Sequence, residues 1–219
     1  MKILIVGLGV QGQKRKNILN KKLVFATVDN KNKSANFKNI QDVPLNKYDT
    51  VFICTPDSEK LKILNYCLKF KKNALVEKPL VANSESKIKK LEIKANKKNI
   101  VFYSAYNHRF EPHFISIKKI IDSKILGKIY YCHLFYGNGT ARLVKKQKWR
   151  DKGLGIIQDL GPHLMDTIKF WFKENLKFQS IFKNRFENKS PDHAILFSKK
   201  DKFFVKLEMS MCMWKNTLR

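Results

Sequence analysis

Residues 2–6, Lys-Ile-Leu-Ile-Val, form a short apolar run that passes at once into Gly7-Leu8-Gly9-Val10-Gln11-Gly12. An apolar run of this length without polar alternation suits a strand buried on both faces, the situation of a parallel sheet. Three glycines in a GxGxxG pattern between such a strand and a helical pattern restrict the chain further. Gly7 permits the tight turn, Gly9 lets the backbone approach a pyrophosphate, and Gly12 lets helix and strand pack closely. The helix that opens at Val10 and Gln11 then offers amide N–H groups and a partial positive charge to phosphates. A second apolar run, Leu23–Val28, ends at Asp29, 20 residues after Gly9. A carboxylate at that place accepts from a ribose hydroxyl. It also repels a 2′-phosphate and so favours NAD, while Lys31 and Lys33 just beyond keep NADP open.

The pattern continues as strand and helix in turn. Tyr48–Cys54 reads as a strand closed by Thr55-Pro56, Asp57–Phe70 as a helix, and Ala74–Val76 as a buried strand ending at Glu77-Lys78-Pro79. Asn83 is placed to cap a lysine-rich helix running to about Lys97, and Ile100–Ala105 is the next strand. This alternation predicts an α/β unit with a doubly wound parallel sheet over residues 1–115. Beyond it the texture changes. Pro112–Ser123 is helical, Lys128–Tyr136 alternates like a half-exposed strand, Asn138–Gly153 is a polar loop, and Leu154–Phe172 is helical in its later part. Three strand-like runs follow, Phe178–Phe186, His193–Phe197 and Phe203–Met211, so residues 116–219 are expected to form an α+β domain with a largely antiparallel sheet.

Composition closes off other classes. The 219 residues are 43% hydrophobic and 12% aromatic, too apolar for a disordered chain. No apolar run approaches the roughly 20 residues that cross a bilayer, and the opening stretch lacks the cleavage pattern of a signal peptide. Cys54, Cys67, Cys132 and Cys212 lie far apart with no CxxC pair, which is neither a zinc framework nor a disulfide scaffold. A soluble cytoplasmic protein is expected. The net charge of +27 comes from 39 Lys and only 6 Arg, with the lysines spread along the whole chain. Base-edge readers lean on the planar fork of Arg. The charge is therefore read as a solvated surface, with no specific nucleic-acid partner and no membrane partner.

Two further groups carry chemistry. Ligands of a doubly wound sheet sit at the carboxyl ends of its strands, so Lys78 should point to the crevice. Its ammonium can hydrogen-bond a substrate hydroxyl and favour the alkoxide as a proton leaves. The second group is Asp159-Leu160-Gly161-Pro162-His163, with Asp166 beyond it. Asp159 and His163 share a face if one helix runs through both, and histidine suits proton exchange near neutral pH. No third ligand is evident for a metal, and none is expected.

With GLGVQG at 7–12, TP at 55–56, EKP at 77–79, YNHRF at 106–110 and DLGPHLMD at 159–166, the chain resembles the Gfo/Idh/MocA oxidoreductases, the relatives of glucose–fructose oxidoreductase and inositol dehydrogenase. The resemblance runs from residue 1 to about 172. It implies an N-terminal NAD(P)-binding Rossmann domain and a C-terminal substrate domain whose open sheet makes the contacts of a homo-oligomer. It also implies hydride exchange between a nicotinamide and a hydroxyl-bearing carbon of a sugar, sugar nucleotide or cyclitol. Carried over by position, Lys78 contacts the reacting hydroxyl and the nicotinamide ribose, His163 is the acid/base candidate and Asp159 its partner in substrate binding. Lys78 and His163 both remain open as the base. The cofactor contacts fall on Gly7, Gly9, Val10, Gln11, Gly12, Asp29, Thr55, Pro56, Glu77, Lys78 and Pro79. Tyr106, Asn107, Arg109, Trp149 and Arg150 fall where relatives bind substrate, and relatives often have a cis peptide at Lys78–Pro79.

The chain also departs from the pattern. Glu59-Lys60 stands where relatives often have a histidine, and Lys60 is expected to alter the cofactor contacts. After the third C-terminal strand relatives continue with more strands, so the chain reads as shortened at its C-terminus, with an unpaired sheet edge expected there. That departure motivates the alternative of an inactive or truncated nucleotide-binding homologue acting as a sensing module. Arg109, Arg142 and Arg150 are available to a carboxylate or pyrophosphate, which favours an acidic sugar or a sugar nucleotide.

Overall fold

β1 (Ile3–Val6) is buried along its whole length, as its uninterrupted apolar sequence requires. A computed structural model, describing residues 1–81, 84–148 and 150–219, sets this strand inside the first of two compact units. The units are Met1–Ala105 and Tyr106–Arg219. The sequence reading draws its boundary near residue 115. The division falls earlier because the 3-10 turn Asn107–Phe110 bonds into the second unit, through Arg109 to Asp166 and His108 to Glu111.

In the first unit β1 is followed by α1 (Val10–Ile18), β2 (Val24–Val28), β3 (Thr50–Ile53), α2 (Asp57–Lys69), β4 (Asn73–Val76), α3 (Glu85–Lys97) and β5 (Phe102–Ser104). The strands lie in the order β2-β1-β3-β4-β5, and every pairing is parallel. β1 is thus flanked by β2 on one side and β3 on the other. The order reverses beside β1, and a crevice opens at the carboxyl ends of strands at such a switch point. Helix α2 follows from its sequence. Asp57 and Glu59 complement the dipole in its first turn, and Ile63, Leu64, Cys67 and Leu68 form the buried stripe. Asn83 lies outside the described residues; the cap position of α3 is held by Ser84.

The second unit contains α4 (Pro112–Asp122), β6 (Tyr131–Gly137), α5 (Ala141–Lys145), α6 (Ile156–Asp159), α7 (Gly161–Phe172), β7 (Phe178–Asn184), β8 (His193–Lys200), β9 (Phe203–Ser210) and β10 (Thr217–Leu218). Its strand order is β10-β6-β9-β8-β7. Three of the four pairings are antiparallel; β6 and β9 run parallel. A parallel pair needs a long crossover, and here α5–α7 and β7–β8 supply it. Alternate residues of β8 and β9, among them Leu196, Leu207 and Met209, are buried in one core with Leu164 and Ile168 of α7. Two details depart from the sequence reading. The stretch read as a polar loop over 138–153 contains α5, whose Ala141 and Val144 are buried. The residues after β9 turn back, and Thr217 and Leu218 pair with Gly137 and Tyr136 on the β6 edge.

Candidate functional site

The glycine turn explains itself sterically. Gly7 has φ +92°, and a Cβ there would strike the backbone carbonyl of Cys54 at the end of β3. A Cβ on Gly12 would run into the Gly7 carbonyl oxygen, so α1 lies against the turn itself. Gly9 faces open space, with no atom within 4 Å of the position a Cβ would take. The first-turn amides of Val10, Gln11 and Gly12 have no carbonyl four residues earlier in the helix, and no acidic side chain stands in that turn. Val10 and Gln11 are exposed.

Asp29 closes this loop from the side. Its Oδ2 accepts the Leu8 N–H at 2.7 Å, and its Oδ1 accepts the N–H groups of Lys31 and Asn32 at 2.8 Å each. Burial pushes the carboxyl pKa up, but these three bonds and the charge of Lys38 outweigh it and hold Asp29 below the usual carboxylate value. Asp29 thus stays ionised and joins the loop after β1 to the loop after β2, a task that its spacing did not announce. Thr55 Oγ1 is buried with no hydrogen-bond partner among the described residues. Burial also pushes the Cys54 thiol up to about 12, with Glu77 adding to it, so Cys54 is inert packing under the turn. An open, acid-free helix start, an ionised carboxylate beside it and an unsatisfied hydroxyl fit a dinucleotide.

At the end of β4 the Glu77 carboxylate accepts Arg15 Nε of α1 at 2.7 Å. Lys78 is half-buried, and the Lys78–Pro79 peptide is cis, as the resemblance implies. Lys60 is 2% exposed; its ammonium donates to Asp57 Oδ1 at 2.7 Å and to the Pro79 carbonyl at 2.8 Å. The expectation that Lys60 alters the cofactor contacts therefore meets a side chain turned into the protein.

In the second unit His163 is 8% exposed, in the first turn of α7. Its ring meets those of His108, Tyr136 and Tyr106 at 5.0, 5.9 and 6.3 Å between centroids. Asp159 ends α6, and Leu160 separates the two helices. One continuous helix does not run through Asp159 and His163, because Pro162 has no N–H for the Gln158 carbonyl. Asp159 Oδ2 instead accepts Arg150 Nη2 at 2.9 Å. Arg109 forms a two-pronged pair with Asp166, Nε to Oδ2 at 2.7 Å and Nη2 to Oδ1 at 2.5 Å. Asn107 is exposed and donates to Glu111 at 2.9 Å. Burial raises the phenol pKa of Tyr106, with Asp166 adding to it, and that of Tyr136, with Asp159 and Glu111 adding to it. Trp149 lies outside the described residues.

His108, Tyr136 and Glu111 escaped the sequence reading. His108 Nδ1 lies 2.7 Å from Glu111 Oε1, and its Nε2 is buried without a partner among the described residues. The sequence held a signal for His108, which stands inside YNHRF; for Tyr136, on a strand 27 residues before His163, it held none. Among the described residues no group of three or more His, Cys, Asp or Glu is placed to hold a metal, and no helix is long and apolar enough to cross a membrane.

Comparison with known proteins matches this geometry. An "Oxidoreductase family, NAD-binding Rossmann fold" family model matches residues 1–106, and a "GFO/IDH/MocA C-terminal domain" model matches 114–219. Oxidoreductase P35 of Formosa agariphila is 26% identical over 159 residues, 68% of this chain and 49% of that protein. The inositol 2-dehydrogenase of Rhizobium meliloti is 26% identical over 126 residues, 58% of this chain and 37% of that enzyme. The chain spans about a third to a half of the length of the curated relatives it matches. Among solved structures, GenD2 from gentamicin A biosynthesis in complex with NAD superposes with TM-score 0.85 at 18% identity, over 100% of this chain and 68% of GenD2. An Agrobacterium radiobacter oxidoreductase crystallised with NAD+, L-tartaric acid and magnesium gives TM-score 0.83 at 18% identity, over 99% and 68%. Motifs, topology and both family models agree: the chain belongs to the GFO/IDH/MocA oxidoreductase family and carries its NAD-binding Rossmann fold.

Proposed function

We propose that this chain exchanges a hydride between NAD and a hydroxyl-bearing carbon of a sugar, sugar nucleotide or cyclitol. The observation that carries the reading is the glycine turn braced by ionised Asp29 beside the unsatisfied Thr55 hydroxyl. Gly7, Gly9 and Gly12 with the amides of Val10 and Gln11 would hold the pyrophosphate, Asp29 a ribose, and Thr55, Pro56, Glu77, Lys78 and Pro79 the nicotinamide side. NAD supplies the hydride acceptor when it is bound.

Lys78 donates a hydrogen bond to the reacting hydroxyl oxygen and stabilises negative charge as its proton leaves. The His163 imidazole takes that proton, and its packing among three rings holds it in one orientation. The Asp159 carboxylate, paired with Arg150, accepts from a neighbouring hydroxyl. Asn107, Arg109 and Trp149 complete the substrate contacts with Tyr106. Arg109 and Arg150 already bind carboxylates of the chain itself, which supports a neutral polyol over an acidic sugar. Exposed Phe182, Phe197, Phe204 and Tyr131 on the sheet of the second unit support self-association, and the enzyme is read as cytoplasmic.

The test begins with a titration by NADH and NADPH, read as quenching of tryptophan fluorescence. NADH is expected to bind saturably and more tightly than NADPH. Lys78→Ala and His163→Ala are each expected to lower turnover of the best polyol by at least about 10²-fold while NADH affinity stays within about threefold. Failure of the folded chain to bind either nucleotide would overturn the reading, and so would near-normal turnover in both variants.

A further inference from the structure

Lysine is almost never fully buried unless it is paired, and Lys60 is 2% exposed. Desolvating an ammonium is costly, and a well-packed apolar side chain would serve stability as well or better. The place of this cation therefore points to a geometric task. Its two partners are Asp57 on its own helix and the carbonyl of Pro79, the residue after Lys78. On the other side of Lys78, Glu77 is held by Arg15 of the helix that carries the glycine turn.

We infer that Lys60 is a positioning residue for Lys78. Together with Arg15 it clamps the Glu77-Lys78-Pro79 turn from both sides, tying the backbone of Lys78 to helices α1 and α2. Burial removes Lys60 from any ligand, so it acts only through the turn. The inference rests on the role given to Lys78 above. Its consequence is that Lys60 governs how well the Lys78 ammonium is aimed, without governing nucleotide affinity. A misplaced catalytic group slows the chemical step while ground-state binding persists.

Lys60→Met removes the ammonium at similar volume, and Lys60→Arg keeps a cationic donor. In the Lys60→Met protein, hydrogen exchange at the Glu77 amide, which donates to the Ile53 carbonyl at 3.0 Å, is expected to rise about tenfold or more, while the strands of the first unit keep their protection. NADH affinity and KM should stay within about threefold, and kcat should fall about tenfold. Lys60→Arg should restore both the protection and kcat. Exchange within about twofold of wild type in Lys60→Met overturns the clamp, as does loss of protection spread evenly over the unit. Raised exchange with unchanged kcat overturns the link to Lys78. If the wild-type chain turns over no polyol, the functional reading fails while the exchange experiment still decides the clamp. Wild-type protein supplies a measurement that requires no variant to fold. Acetic anhydride should label Lys60 at least about tenfold more slowly than exposed Lys69, and labelling at equal rates overturns the inference.

Discussion

The two units build their candidate sites by different means. In the first, the site is mostly backbone: a turn that only glycine permits, amides at a helix start, and a carboxylate that accepts three backbone N–H groups. In the second, it is side chains gathered over long separations. Arg109 meets Asp166 across 57 positions, and His163 lies among rings from β6 and from the segment before α4. A backbone site is encoded locally, because turn geometry depends on a few adjacent residues. A side-chain cluster depends on packing of the whole unit, and its members have no fixed spacing.

Variants that attack one unit and spare the other sharpen this contrast. The largest effect is expected from Gly12→Val, whose side chain must displace the Gly7 carbonyl. It should destabilise the first unit by about 3 kcal/mol or more and abolish NADH binding, as read by a thermal melt and a fluorescence titration. Asp166→Ala should cost the second unit about 2 kcal/mol, because it strips the partner from a half-buried guanidinium, and should leave NADH affinity unchanged. A loss of NADH binding there would show that the contrast is drawn too sharply.

Acid separates the units less strongly. The carboxyl pKa values of Asp29 and Asp151 are both lowered, in each case against the opposing push of burial, by N–H groups they accept. Each stabilisation is therefore fully present above the unfolded carboxylate value and is lost as pH falls through the lower folded value, below about pH 4. Asp29→Asn should flatten this acid limb in the first unit, and Asp151→Asn in the second, as followed by circular dichroism against pH. The smallest effect is on cofactor choice: Asp29→Asn should lower the preference for NADH over NADPH by about tenfold, since it removes a charge that repels the 2′-phosphate. An unchanged preference would leave Asp29 with its loop-bracing role alone.

The legibility of the sequence follows the same division. The run 2–6 and the glycine turn could be read as buried strand and tight turn because each answers to a local rule of period or turn, and Asp29 lies just past β2, where the end of the second apolar run put it. Helix α5 was hidden in a polar stretch because only Ala141 and Val144 of its five residues reach the core, too few to show a period. The parallel pairing of β6 with β9 was hidden because strand direction depends on how the intervening helices cross, which period-two alternation does not record.

By itself, then, the sequence determined most of the element types, the parallel sheet of the first unit and the family motifs, since these depend on hydrophobic period and on the few conformations that glycine and proline permit or forbid. Only the tertiary structure decided which charges meet. It joined Arg109 to Asp166, Arg150 to Asp159 and Arg15 to Glu77, set Tyr136 against His163, and turned Lys60 inward to the Pro79 carbonyl. Long, flexible side chains reach whatever partner the packed elements bring near them, and that proximity is fixed by the fold as a whole.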